Sequence, residues 1–239
     1  MISKQADFEN GRIITITDIG SNHRAMFLPN QDSCGYRIMD NDYCIAVADG
    51  VGSCKYADVG AQKAVDICLD LFTEIKNRQI PFSKKTIIDC VIFRWKEAFG
   101  EEAENYCSTL KTIIKIENEM LLVSIGDGVL AVSSDGVNVI APVESVDFVN
   151  ETYCLSNSVK ECDFWSNTFS LDLHKPYAAL CCTDGIANGL IQGSQIDVIT
   201  SIEKEICIDD LKSELENFVT DIAKYSFDDK TIGVVKYEG

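Results

Sequence analysis

Proline is scarce, 4 in 239 residues, and glycine, at 15, is too infrequent for a collagen-like or linker-dominated chain. Basic residues are also few. Lys and Arg total 21 against 38 Asp and Glu, for a formal charge of −17. That field repels nucleic acid and anionic membranes, and no basic cluster offsets it locally, so neither is expected as a partner. There are only two histidines, neither at zinc-finger spacing from a cysteine. The eleven cysteines are odd in number and contain no C-x-x-C pair, which argues against a complete disulfide set and against a zinc site. No segment approaches the roughly 20 apolar residues of a membrane span. The opening Met1-Ile2-Ser3-Lys4-Gln5-Ala6-Asp7 lacks the apolar core of a signal peptide. Together these absences predict a cytoplasmic protein.

The residues that are present suit a sizeable core: 46% are apolar and 25% charged. Without repeats, low-complexity tracts or linkers, residues 1–239 read as a single domain. Most cysteines sit in apolar runs such as Tyr43-Cys44-Ile45-Ala46-Val47, where the thiol serves as a small hydrophobe. Strand patterns cover Arg12–Ile19, Cys34–Ile38 and Tyr43–Ala48. Val59–Ile75 carries an apolar stripe at helical spacing. Ser83 reads as the N-cap of a second helix that buries Ile87, Ile88, Val91, Ile92, Trp95 and Phe99. Strands return at Thr109–Ile116, Met120–Ile125, Val129–Ser133 and Val137–Ile140. Residues 141–170 read as an irregular surface excursion with short strands. Ala178–Thr183 is an apolar strand, Leu211–Tyr225 a helix behind the capping acids Asp209 and Asp210, and Thr231–Tyr237 a closing strand. Strands and helices do not alternate as in a doubly wound sheet. The order predicts an α+β fold of antiparallel sheets with helices packed outside.

Four Asp-Gly pairs stand out. Asp135-Gly136, between two alternating runs, is a hairpin turn. The other three, at Asp49, Asp127 and Asp184, each end an apolar run, so a core strand delivers an Asp to the sheet edge. With a turn centred on Asp40-Asn41, residues whose numbers add to 81 face each other, which sets Asp32 opposite Asp49. Like charges so placed repel, and a cation between them would relieve the repulsion. If Thr231–Tyr237 runs antiparallel to Ala178–Thr183, Asp228 joins Asp184 at the same edge. Clustered Asp with little His forms an oxygen-donor set suited to Mg²⁺ or Mn²⁺. On spacing alone, the same acids could equally be exposed strand ends in an acid-rich protein.

At these residues the chain resembles the type-2C protein phosphatases, the metal-dependent Ser/Thr phosphatases. The matching pieces are Ile19-Gly20-Ser21-Asn22-His23 with Pro29-Asn30-Gln31-Asp32-Ser33, then Val47-Ala48-Asp49-Gly50-Val51-Gly52-Ser53 and Gly60-Ala61. They continue with Ser108-Thr109-Leu110, Ile125-Gly126-Asp127-Gly128, Cys182-Thr183-Asp184-Gly185-Ile186 and Asp228-Asp229-Lys230-Thr231. The opening Gly-x-x-His…Pro-x-Gln-Asp is similar to a bacterial subgroup. The resemblance implies a four-layer α-β-β-α sandwich, two antiparallel sheets flanked by helix pairs, with two Mn²⁺ or Mg²⁺ ions at one edge and a weaker third. By motif, Asp49 bridges the metals, Gly50 offers its carbonyl, and Asp184 and Asp228 complete the first ion's ligands. Asp127 with Asp184 holds the third ion, and Asp32 orients water. The resemblance further implies direct attack of a metal-bridging hydroxide on phosphoserine or phosphothreonine in a protein substrate, in opposition to a Ser/Thr kinase. The lack of a Cys-x5-Arg loop agrees with attack by water.

The chain also departs from the family pattern. Gln31 stands where many members have Glu, and Val51 where eukaryotic members often have a His general acid. His23 could protonate the leaving oxygen in its place, or be a structural histidine. Arg24 could bind substrate phosphate, or be a solvated surface residue. Residues 141–170 correspond to the family's variable flap, which bears on substrate choice. The alternatives are a pseudophosphatase, or a regulatory binding module dedicated to one partner on the same fold.

Overall fold

The computed structural model describes residues 1–142, 153–191 and 193–239. Its apolar residues alternate along the strands so that each sheet has two buried faces. In β4 (Asp42–Asp49), Cys44, Ala46 and Ala48 turn toward helices while Tyr43, Ile45 and Val47 turn toward the other sheet. β10 (Tyr177–Cys182) does the same, with Ala178, Leu180 and Cys182 under helices and Tyr177, Ala179 and Cys181 between the sheets. This two-sided alternation produces the layering.

One sheet has five strands. β3 (Asp32–Met39) pairs with β4, followed by β5 (Leu110–Ile116), β6 (Glu119–Ile125) and β9 (Trp165–Ser170). The other has six, in the order β1 (Ile2–Phe8), β2 (Gly11–Asp18), β11 (Lys230–Tyr237), β10, β7 (Val129–Ser134) and β8 (Val137–Ile140). Every neighbouring pair is antiparallel. The five-stranded sheet is covered by α2 (Ala57–Lys76) and α3 (Lys84–Phe99), and the six-stranded sheet by α5 (Gln195–Lys204) and α6 (Leu211–Ile222). Two short helices, α1 (Ser21–Met26) and α4 (Asp184–Ala187), sit where strands end. The fold is α+β, four layers with two antiparallel sheets flanked by helix pairs, as expected.

Local expectations hold where chemistry is local. Ser83 caps α3 by accepting the Thr86 N–H at 3.2 Å. Asp135 and Gly136, with φ of 51° and 81°, turn β7 into β8 and oppose Ser134 to Val137. The expected acidic cap of α6 is different: Asp210 occupies the N-cap position without a side-chain hydrogen bond. Its backbone is already in the helical region, whereas a capping residue usually adopts an extended conformation that turns its oxygen toward the free N–H groups.

Several elements lie outside the sequence reading, the short helix α4 among them. β1 is an edge strand bonded to β2, α5 packs Ile199 and Ile202 on the six-stranded sheet, and α1 buries no side chain. Of the expected excursion over 141–170, residues 143–152 lie outside the described residues. The rest is partly structural: Leu155 and Val159 are buried under α3, and Trp165–Ser170 is the edge strand of the five-stranded sheet. No helix among the described residues is long and apolar enough to cross a membrane.

Candidate metal centre

Strand ends from both sheets meet at one end of the sandwich. The β3–β4 register places Asp32 opposite Asp49, as the hairpin arithmetic required. β10 and β11 are antiparallel, with Cys182 opposite Ile232, and the Thr183 N–H donates to the Thr231 carbonyl at 3.0 Å. Asp184 and Asp228 therefore sit just beyond paired ends of the other sheet. Thr183 joins the two halves: its Oγ1 donates to Asp32 Oδ2 at 2.8 Å while accepting the Thr231 N–H at 3.1 Å.

Backbone approach here is close. A Cβ on Gly185 would lie 1.8 Å from the Asp229 carbonyl oxygen, and one on Gly50 2.1 Å from that of Ala57. Glycine is the residue that lets α4 start against the entry to β11, and β4 end against α2. Gly50 is further held by its N–H to the Gln31 carbonyl at 3.0 Å and by a bridge to Ser108. Thr109 Oγ1 receives the Asp49 N–H at 3.0 Å, so the residue on either side of this junction is fixed.

The carboxyl groups are crowded. Asp32 and Asp49 lie close enough to perturb one another, as do Asp49 and Asp184. Burial, then the charges of Asp32 and Asp184, push Asp49 well above the ordinary carboxylate range. Burial raises Asp32 to about 7, against the pull of hydroxyl bonds from Thr183 and Thr231, with the Asp229 charge adding to the rise. Burial and the neighbouring Asp127 and Asp228 raise Asp184 to about 6. All five predicted acids thus belong to one neighbourhood.

Among the described residues, no group of three or more His, Cys, Asp or Glu side chains forms a ready cage for an ion. Burial and the neighbouring acids instead favour the protonated forms of Asp32, Asp49 and Asp184. Protonated acids can lie close together, whereas ionised ones need a cation between them. The donor set is all oxygen and fits Mg²⁺ or Mn²⁺, with proton release as the condition of binding.

His23 and Arg24 stand on α1 at the rim. His23 Nδ1 is 2.8 Å from Asp229 Oδ2, and Arg24 Nη2 is 2.7 Å from Asp18 Oδ1. The half-exposed Arg24 guanidinium is therefore engaged with Asp18, at the end of β2. Sequence reasoning missed the part played by Asp229. Only 2% exposed, it accepts the Gly20 and Gln31 N–H groups, each at 2.6 Å, besides holding His23. It ties the loop before β3 to the start of β11. Its neighbour Asp228 was a visible signal, but adjacency does not reveal which of two acids turns inward.

A family model described as Protein phosphatase 2C matches residues 19–219, and the chain belongs to that family. No curated protein matches it in sequence. Solved structures with the same fold include RsbX in complex with magnesium, at 15% identity and a TM-score of 0.67, covering 99% of this chain and 100% of that one. The serine/threonine phosphatase of S. agalactiae is 16% identical with a TM-score of 0.68, covering 96% and 100%. The catalytic domain of PstP, solved with two manganese ions, is 16% identical with a TM-score of 0.65, covering 96% and 99%. At these identities the likeness is one of fold.

Proposed function

We propose that the chain is a metal-dependent protein serine/threonine phosphatase of the bacterial type, a single domain acting in the cytoplasm against a Ser/Thr kinase. The observation that carries this reading is the meeting of Asp32, Asp49, Asp184 and Asp228 from two sheets, close enough for Asp49 and Asp184 to be raised by their neighbours' charge. Asp49, Asp184, Asp228 and the Gly50 carbonyl would hold two divalent ions, Mn²⁺ or Mg²⁺, and Asp127 with Asp184 a third. RsbX with magnesium and PstP with two manganese ions support ions of this kind on this fold. Bound there, divalent ions supply the positive charge that binds phosphoryl oxygens and acidifies the attacking water.

The chain's own residues do the remainder. Asp32, fixed by Thr183, orients water for in-line attack on phosphorus. His23, aligned through Nδ1 by Asp229, presents its other ring nitrogen to protonate the leaving serine or threonine oxygen. Arg24 reaches the phosphate on releasing Asp18. A phosphate dianion is repelled by a chain of charge −17 unless local cations reverse the field, so occupancy by metal also governs substrate entry.

Hydrolysis of an aryl phosphate with and without Mn²⁺ tests this. Activity should depend on metal, vanish with chelator, and fall at least about a hundredfold in Asp49→Asn, where one bridging charge is lost. Turnover that persists in chelator sinks the mechanism. A folded, metal-loaded protein without turnover would make it a binding module on this fold.

A further inference from the structure

Three cysteines far apart in the chain meet beside the acidic end. Cys54 lies in the loop between β4 and α2, Cys107 just ahead of β5, and Cys154 next to Leu155, whose backbone bridges Ser108. Cys54 Sγ donates to the Glu104 carbonyl at 3.2 Å, and Cys107 Sγ reaches the same oxygen at 3.6 Å. The thiols of Cys54 and Cys107 also interact with each other, and Cys107 with Cys154. The backbone holds the first two in place. Val51 donates its N–H to the Cys107 carbonyl at 2.9 Å, and Cys54 donates its own to the Val51 carbonyl at 2.8 Å. Cys54 and Cys107 are free thiols, the first half-buried and the second buried, so a reagent from solvent meets Cys54, or the equally half-buried Cys154, before Cys107.

We propose that Cys54 and Cys107 are an oxidisable pair that closes into a disulfide on meeting a low-molecular-weight disulfide such as oxidised glutathione. The Cys54 thiolate attacks one sulfur of the small disulfide, the S–S bond breaks, and one small thiol leaves. Cys107 then attacks the Cys54 sulfur of the mixed disulfide and displaces the second small thiol. Two protein thiols are oxidised, the small disulfide is reduced to two thiols, and the two protons end on them. The new bond staples the loop that follows Gly50 to the segment feeding β5, where Gly50 already bridges Ser108. Burial raises the Cys54 thiol, and the Cys154 contact together with burial raises Cys107, so little thiolate is present near neutrality.

The test is peptide mapping of the reduced chain after incubation with oxidised glutathione and alkylation of the remaining thiols. A Cys54–Cys107 cross-linked peptide is expected, formed about tenfold faster per pH unit below the Cys54 pKa. In Cys107→Ser, Cys54 should stop at the glutathione adduct; in Cys54→Ser, Cys107 should remain a thiol. Circular dichroism checks that both variants fold, and the unmodified sequence decides the matter if either does not. The proposal is overturned if Cys54 of the unmodified sequence stops as an adduct with Cys107 still alkylated, or if Cys107 links to Cys154 instead. Because the readout is a covalent bond, it stands or fails separately from the proposed hydrolysis.

Discussion

Asp229 and Asp32 are buried acids with opposite tasks. Asp229 is surrounded by donors, two backbone N–H groups and His23. Replacing it by alanine leaves both N–H groups without their partner, at about 1–3 kcal/mol for each that stays buried. Asp229→Ala should therefore lower the unfolding free energy by about 2–6 kcal/mol in denaturant titration, and a loss below about 1 kcal/mol would contradict the role assigned to it. Asp32 faces other acids, and its carboxyl is raised to about 7, with Asp184 raised to about 6. An acid whose pKa is higher folded than unfolded holds its proton more tightly in the folded state. The metal-free protein should then lose stability as pH rises from about 4 through about 7, the reverse of an acid paired with a cation. Urea midpoints measured in chelator across that range check the sign. Binding of Mn²⁺ at about pH 6 should release protons, seen in calorimetry as a heat that varies with the buffer's ionisation enthalpy. A heat independent of buffer would mean that the ion binds away from these carboxyls.

Elements matter here through their ends. β4 delivers Asp49, β10 leads through Thr183 to Asp184, and β11 begins just after Asp228 and Asp229. Their register is held by ladders whose side chains pack on both faces, so the ends are placed by cores rather than by loops. The tightest junction is Gly185 against the Asp229 carbonyl. Gly185→Ala must push α4 and the entry to β11 apart, which costs about 1–3 kcal/mol as overpacking does. It should also weaken Mn²⁺ binding, because Asp184 and Asp228 move relative to each other. Unfolding and metal titration of that variant would show both effects together, and wild-type values for both would mean that the junction yields elsewhere.

Across the whole molecule the dominant fact is charge. At −17, the metal-free chain repels itself, and the acidic end concentrates part of that repulsion where burial already penalises ionised groups. Raising the ionic strength from about 0.01 M to about 0.15 M shortens the screening length from about 30 Å to about 8 Å. The melting temperature in chelator should rise accordingly, with a smaller rise once divalent ions are bound. A melting temperature that falls over this salt range would show that ion pairs such as Lys76–Asp42 outweigh the net repulsion.

Much of this was open to reading from residue order, because hairpins are local. A turn at Asp40 and Asn41 sets every partner between β3 and β4, so Asp32 and Asp49 had to face each other wherever the hairpin packed. Alternating apolar residues similarly announced the core strands, and Ser83 its helix. β1 carries no such signal, since an edge strand is held by backbone bonds more than by buried side chains. The Thr183–Asp32 bond between sheets, the inward turn of Asp229 and the meeting of Cys54 with Cys107 had no counterpart in any local pattern. Each depends on how one sheet lies over the other or on where distant loops come to rest. Apolar packing decides that without leaving a period in the chain, which is why a list of acids became a site only once the sandwich closed.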